Sequence, residues 1–213
     1  MALTDGQTLL VSALYAAALV PTIFIALSYV VGKLPKWILG LFIAAFIVAA
    51  LGWELWISYG LVDGLDVTER RPPALNNALP LHMNWLLNSL ADAGVVGLTG
   101  VLLVWLGYGR TNRAFVCWRW GAVAILCVWF VGQNLLVELY IYQQQLAAGL
   151  RLSWAPLMPT GSWYNPQILH IDGRTVHLQT QLTWVLMTPI YYRLLLWSFA
   201  KWGADPVGGK SLP

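Results

Sequence analysis

Three carboxyl groups lie within long apolar stretches of the sequence: Glu54, Asp92 and Glu138. An ionisable group at membrane depth is energetically expensive, so it indicates a functional site unless a neighbouring helix satisfies it. A buried carboxyl can keep its proton at neutral pH and act as an acid, while one that is hydrogen-bonded to an amide can stay ionised and act as a base. We therefore predict these three residues as candidate catalysts, with interhelical hydrogen bonding as the structural alternative.

Two of the carboxyl groups belong to polar stripes in which a polar residue recurs every fourth position, and residues four apart share a helix face. The members are Asn84, Asn88 and Asp92 in one segment and Asn134, Glu138 and Tyr142 in another. Because lipid cannot satisfy amide groups, each stripe must face protein or a wet cavity. The stripes predict a shared polar pocket or, alternatively, hydrogen bonds that hold the helices together.

Tryptophan accompanies these polar groups along the chain: Trp53 and Trp56 flank Glu54, and Trp184 lies in the last apolar segment. An aromatic face stabilises a cation. A pocket of carboxyls and tryptophans therefore suits protonation and deprotonation of an isoprenoid or sterol double bond, and it equally suits plain binding of such a lipid. The predicted ligand-binding residues are Trp53, Trp56, Asn84, Asn88, Asn134, Tyr142 and Trp184, with Trp85 and Trp129 as further walls.

The composition indicates that membrane helices hold these residues. Of the 213 residues, 59% are hydrophobic and 10% are charged, against about 45–50% and 25% in soluble domains. This composition excludes a soluble enzyme, a disordered chain and a nucleic-acid-binding protein. Since a helix needs about 20 apolar residues to cross a bilayer, we predict one all-α transmembrane domain over residues 1–213. Its five helices are expected at about 9–31, 37–62, 81–108, 114–146 and 178–202.

The distribution of Lys and Arg predicts the orientation of this bundle, because cytoplasmic loops carry an excess of basic residues. With five spans, eight of the twelve basic residues fall on one side and four on the other. This predicts a cytoplasmic C-terminus, an N-terminus outside, and two outer loops at 63–80 and 147–177. The expected location is a plasma, inner or endoplasmic reticulum membrane.

The outer side also holds the three histidines, His82, His170 and His177. The last two lie in a stretch expected to be irregular, and their spacing matches no metal-binding motif. We interpret all three as ordinary interfacial residues and predict no metal or cofactor, with a metal site as the alternative. The segment 154–166 is rich in Trp and Pro, which favours a lid at the membrane interface or a docking surface for a partner subunit.

The order of these elements resembles the EXPERA group of membrane proteins, which includes the emopamil-binding sterol isomerases. The segment Val131-Gly132-Gln133 followed by Glu138-Leu139-Tyr140 is similar to the fourth-helix segment of that group. Glu54 with its following aromatic residues is similar to the second-helix Glu, while the histidine that precedes that Glu in the group is replaced here by Ala50. The resemblance implies a sterol or another hydrophobic ligand between helices two to five.

A different class of protein accounts for the same features. As an accessory subunit of an energy-transducing or metal-dependent oxygenase complex, the chain would use its polar stripes structurally and its Trp-rich loop for docking. The sequence leaves a homodimer and a larger complex both open. A transporter is disfavoured because the chain shows no inverted repeat.

Overall fold

The protein is mostly α-helical in the computed structural model, as predicted. The structure describes residues 2–60, 66–141, 144, 166–171 and 174–203. The helices are α1 (Asp5–Val30), α2 (Lys36–Leu51), α3 (Trp53–Tyr59), α4 (Val67–Arg70), α5 (Pro73–Ala78), α6 (Leu81–Ala91), α7 (Thr99–Gly107), α8 (Arg113–Val116), α9 (Trp120–Leu136) and α10 (Leu178–Trp202). Two π-helical segments, Asp92–Leu98 and Val137–Ile141, continue α6 and α9.

Four helices, some of them with a short interruption, are long and apolar enough to span a membrane: Asp5–Val30, Lys36–Tyr59, Leu81–Gly107 and Trp120–Ile141. We call them the first to fourth apolar helices. The fifth predicted segment, 178–202, coincides with α10, which is 25 residues long. Because α10 carries more polar residues than the others, including glutamines and threonines in its first turns, it does not reach the same hydropathy.

The second, third and fourth apolar helices form a closed ring with α10. In this ring α10 packs against α9 and α2, α7 packs against α9, and the segment Asp92–Leu98 packs against α2. The core of the ring includes Leu41, Leu126 and Leu195, which are fully buried. The first apolar helix lies outside the ring, where α1 packs mainly against α6.

Glycine allows the third apolar helix to approach its neighbours closely. A Cβ at Gly94 would lie 2.6 Å from Pro21 of α1, and one at Gly100 would lie 2.8 Å from Leu126 of α9. Interfaces of this kind between membrane helices depend on small residues.

Some of the apolar helices are interrupted where the sequence predicted continuous helices. The second breaks at Gly52, whose ψ of −116° lies outside the helical range. The predicted helix 114–146 begins only at Trp120, because Cys117 is extended and separates α8 from α9. Two indole N–H groups satisfy backbone carbonyls beside interruptions: Trp85 donates to Ala50 at 2.7 Å and Trp129 donates to Val96 at 2.8 Å.

The stretch that holds His170 and His177 is not irregular, so that expectation was wrong. Strands β1 (Gln167–Ile171) and β2 (Arg174–His177) form an antiparallel pair. The sequence Asp172-Gly173 between two β-branched stretches is a typical hairpin signal. The hairpin leads directly into α10 and packs against the segment Val137–Ile141.

Candidate functional site

A narrow cavity of about 440 Å³, counted to its open mouth, lies between the second, third and fourth apolar helices and α10. Its walls are apolar and aromatic except at one carboxyl group and at the polar atoms of its aromatic rings. The lining residues are Ala45, Val48, Ala49, Trp53, Asp92, Val96, Gly97, Phe130, Trp184, Met187, Ile190, Tyr191 and Leu194. Ile190 is 52% exposed on the outer face of α10, so the cavity opens sideways.

The carboxyl group in the cavity wall belongs to Asp92 and is held by a tryptophan. The indole Nε1 of Trp53 donates a hydrogen bond of 2.7 Å to Oδ2 of Asp92. Trp53 is the first residue of α3 after the break at Gly52, and Asp92 is the first residue of a π-helical segment. Two helix interruptions thus bring donor and acceptor together, and π-helical turns are frequent at functional sites.

A second carboxyl group lies next to the first. Glu54 follows Trp53 in the chain, is only 3% exposed, and interacts electrostatically with Asp92. Its Oε2 has no hydrogen-bond partner among the described residues. Since buried polar groups are nearly always hydrogen-bonded, this unpartnered oxygen beside the bonded Asp92 is an exception that calls for an explanation.

Aromatic rings form another part of the cavity wall. The ring of Trp184 lies 5.5 Å from that of Trp53 and 5.5 Å from that of Phe130, measured between centroids. Phe130 in turn contacts Tyr191 edge-on at 5.3 Å. The Tyr191 hydroxyl is buried and has no partner among the described residues, so it can donate a hydrogen bond into the cavity.

Glu138 has quite different surroundings. One of its oxygens accepts a hydrogen bond of 3.0 Å from the backbone N–H of His177 and lies 3.3 Å from the Nδ1 of that residue. The other accepts bonds of 2.8 Å from the Thr180 hydroxyl and from the Gln181 amide. These donors all stand at the N-terminus of α10, where a carboxylate is stabilised by the helix dipole. Glu138 therefore anchors α10 and the hairpin to the fourth apolar helix.

The asparagines of the third apolar helix, Asn84 and Asn88, do not belong to the cavity wall. They lie on α6 and precede Asp92 by about two turns and one turn, respectively. The Asn84 amide donates to the Ser58 hydroxyl at 3.0 Å, and Asn88 donates to the Asn84 carbonyl at 2.9 Å. Arg71 donates to the Asn84 side chain at 3.4 Å and also to backbone carbonyls. Burial, together with the neighbouring charge of Arg70, lowers the pKa of Arg71 to about 10, so it stays charged at neutral pH. This network links α6 to α3 and to the turn that follows α4.

The predicted site residues therefore separate into groups. Trp53, Asp92 and Trp184 line the cavity, while Glu54, the neighbour of Trp53 in the chain, is not among the lining residues. Asn134 is buried one turn beyond Phe130 and leaves its amide nitrogen without a partner in the described chain. Trp56 is partly buried outside the lining, and Tyr142 lies outside the described residues, as does most of the segment 154–166.

Sequence reasoning missed several lining residues of α10 and α9. Met187, Tyr191 and Leu194 follow Trp184 at intervals of three and four residues, which is the spacing of one helix face. Phe130 precedes Asn134 by four residues. Extending the face of Trp184 by about three turns and that of Asn134 by one turn finds all of them.

The histidines are dispersed. His82 lies 2.7 Å from the Tyr59 hydroxyl, His177 contacts Glu138, and His170 is exposed on β1. In the ranges that the structure describes, no three His, Cys, Asp or Glu side chains come together as a metal would need.

Comparison with protein-family models, with curated proteins and with solved structures finds no match for this chain.

Proposed function

We propose that this protein is an integral membrane protein that binds an isoprenoid- or sterol-like ligand in the cavity at Asp92 and shifts a double bond of that ligand by acid/base chemistry. The observation that carries the proposal is a carboxyl group fixed in the wall of an otherwise apolar and aromatic cavity. Ligand pockets typically combine such apolar walls with a few placed polar groups.

The proposed topology has five spans, with α10 as the fifth, the N-terminus outside and the C-terminus cytoplasmic. A length of 25 residues is sufficient for α10 to cross a bilayer. Its contacts with α9 and α2 close the ring around the cavity. The exposed Ile190 at the mouth gives a hydrophobic ligand a lateral entrance from lipid.

The reaction needs no oxidant or reductant. The Asp92 carboxyl gives its proton to one alkene carbon, and the electron pair of the double bond forms the new C–H bond. The rings of Trp53 and Trp184 stabilise the resulting carbocation. A neighbouring carbon then returns a proton to the carboxylate, and the electrons of that C–H bond form the shifted double bond. When water adds to the same cation instead and gives one of its protons to the Asp92 carboxylate, the product is the hydrated alcohol.

Glu54 supports this exchange from behind the wall. Two carboxyl groups that share a buried site are most stable when they hold one proton between them. Asp92 therefore contacts the ligand, while Glu54 is a positioning residue that governs where the shared proton lies. Glu138, whose oxygens are occupied by donors from α10, has no part in the chemistry.

The experiment is isomerisation in D₂O, because each turnover introduces deuterium into the alkene. Purified protein is incubated with a panel of isoprenoid and sterol alkenes, and the products are analysed by mass spectrometry. Asp92→Asn should abolish deuterium uptake while keeping its bond from Trp53, whereas the exposed control Glu69→Gln should retain it. Full uptake by Asp92→Asn would exclude this mechanism.

Lipids that co-purify with the native protein identify the ligand class, and the measurement is repeated on Glu54→Gln. A monomer or homodimer that carries an isoprenoid-like lipid supports the proposal. Co-purification with unrelated chains and without such a lipid would favour the accessory-subunit hypothesis.

A further inference from the structure

A second apolar concavity, which we call the inner groove, lies at the other end of the bundle and shares no residue with the cavity at Asp92. It has a volume of about 950 Å³, counted to its open side, and separates α1 from α2 and α7. Its lining is apolar apart from Asn112 and consists of Phe24, Ile25, Leu34, Pro35, Trp37, Ile38, Leu98, Val101, Leu102, Trp105, Asn112 and Phe115.

The groove is open along its length on the outer face of the bundle. Phe24 is 64% exposed and Leu102 is 50% exposed, while Trp37 and Val101 at the base are buried. The first apolar helix packs mainly against α6 and only slightly against α2, so it leaves this space unfilled. An apolar trough with an open side offers contact to a hydrocarbon chain.

Two basic turns border the end of the groove. Leu34 and Pro35 belong to the turn that contains Lys33 and Lys36, and Asn112 belongs to the turn that contains Arg110 and Arg113. All four basic side chains are exposed.

These cations have no acidic neighbour in the segments that build the groove. No Asp or Glu occurs in residues 6–53 or 93–137. The one ion pair within the described ranges joins His177 and Glu138 elsewhere in the fold. Four cations with no ion-pair partner among the described residues lie at the mouth of an apolar trough. They favour an anionic amphiphile, since basic pockets between membrane helices bind anionic lipid headgroups.

We infer that the inner groove holds one acyl chain of an anionic phospholipid, with the lipid phosphate between the Lys33–Lys36 turn and the Arg110–Arg113 turn. The basic turns supply selectivity for the headgroup, and the apolar trough supplies contact with the chain. The inference depends on the proposed membrane location but not on any activity at Asp92.

The test is native mass spectrometry of the full chain with dioleoyl phosphatidylglycerol or dioleoyl phosphatidylcholine, which differ only in the headgroup. The wild type should bind one phosphatidylglycerol at least tenfold more tightly than phosphatidylcholine. Because the contact is electrostatic, raising the salt concentration should reduce this ratio. Equal affinity for the two lipids would overturn the inference.

Variants separate the two halves of the site. The double variant K33Q/K36Q should lose the preference for phosphatidylglycerol, while the control R193Q/K201Q, with the same charge change on α10, should keep it. Leu102→Trp, which fills the groove, should lower the affinity for both lipids at least tenfold. An equal loss of preference in the control, or a dimer that buries the groove on native sizing, would contradict the inference.

The salt dependence of the wild type needs no variant, so it decides the matter even if K33Q/K36Q fails to insert. Failure of lipid selectivity leaves the deuterium experiment at Asp92 unaffected, and failure of that experiment leaves lipid selectivity unaffected. The two proposals are therefore separately refutable.

Discussion

Glu138 and the pair of Glu54 and Asp92 are carboxyl groups of the same bundle in opposite surroundings. Glu138 is 1% exposed and accepts hydrogen bonds on both oxygens from the N-terminus of α10. Glu54 is almost as deeply buried, yet its Oε2 has no partner among the described residues. The two residues are therefore buried to a similar degree but differ in role. Glu138 holds helices together, whereas Glu54 is incompletely hydrogen-bonded and neighbours a cavity-lining residue. The number of donors around a carboxyl, more than its depth, distinguishes the two.

The largest effect is expected from Glu138→Ala. This change removes the acceptor of the His177 backbone N–H and of the Gln181 amide, at about 1–3 kcal/mol for each lost partner, while the Thr180 hydroxyl keeps the His177 carbonyl as its acceptor. The free energy of unfolding should therefore fall by about 3 kcal/mol or more, as measured by denaturant titration in detergent. The exposed control Glu69→Ala should change it little. If Glu138→Ala lowered the free energy of unfolding no more than this control does, Glu138 would not have the structural role described.

Asp92→Asn should show the reverse pattern. The Asn side-chain oxygen still accepts the bond from Trp53, so stability should stay within about 1 kcal/mol of the wild type. Loss of the acid should lower turnover about 100-fold or more, as measured by deuterium uptake. Unchanged uptake together with strong destabilisation would place Asp92 in the same class as Glu138.

Trp53→Phe sharpens the contrast by removing the donor and keeping the ring. Without the Nε1 bond the Asp92 carboxyl loses its fixed position, and turnover should fall about tenfold, since misplacement of a catalytic group is costly. The matched variant is Trp85→Phe, which removes an indole bond to the Ala50 carbonyl instead. An equal loss of turnover in both variants would show that the effect is not specific to Asp92.

Glu54→Gln should change stability least among the buried positions. Replacing a buried carboxyl that lacks full hydrogen bonding is often neutral or favourable, so the free energy of unfolding should stay the same or rise by about 1 kcal/mol. A loss as large as that of Glu138→Ala, measured in the same titration, would show that Glu54 is as fully partnered as Glu138.

The smallest effect is expected at Asp66, a partly exposed carboxyl whose replacement serves as a reference for the buried ones. Partial burial works against ionisation, but hydrogen bonds from Thr68 and Glu69, with the charge of Arg70, hold the pKa of Asp66 below its usual 3.8. A lowered pKa stabilises the folded state above the usual value, and this stability disappears as the pH falls through the folded value. Asp66→Ala should therefore cost about 0.5 kcal/mol at neutral pH and nothing in strong acid. A cost independent of pH would contradict this.

The helical class and the helix at 178–202 could be predicted from the sequence because long, mostly apolar segments favour helices, and α10 is such a segment despite its polar first turns. The interruptions at Gly52, Cys117 and Asp92–Leu98 could not. They depend on which neighbouring side chain satisfies the backbone, as Trp85 does for the Ala50 carbonyl. A pattern of apolar residues carries no information on such tertiary partners.

For the site, the sequence identified Asp92, Trp53 and Trp184 because polar and aromatic residues stand out in an apolar chain. It did not separate Glu138 from the other two carboxyls, since the donors of His177, Thr180 and Gln181 come from about 40 positions further along the chain. Only the packing of α10 against α9 reveals them.

The π-helical segment Asp92–Leu98 has a consequence for length changes in this chain. A π-turn accommodates about one residue more than an α-turn between the same flanking helices. Deletion of one residue there, such as Val95, would convert the segment to ordinary helix without rotating α7 relative to α6. The same deletion within α9 would turn everything beyond it by about 100°. The third apolar helix thus carries a removable residue close to its carboxyl, and a chain shortened by that residue should still assemble its ring.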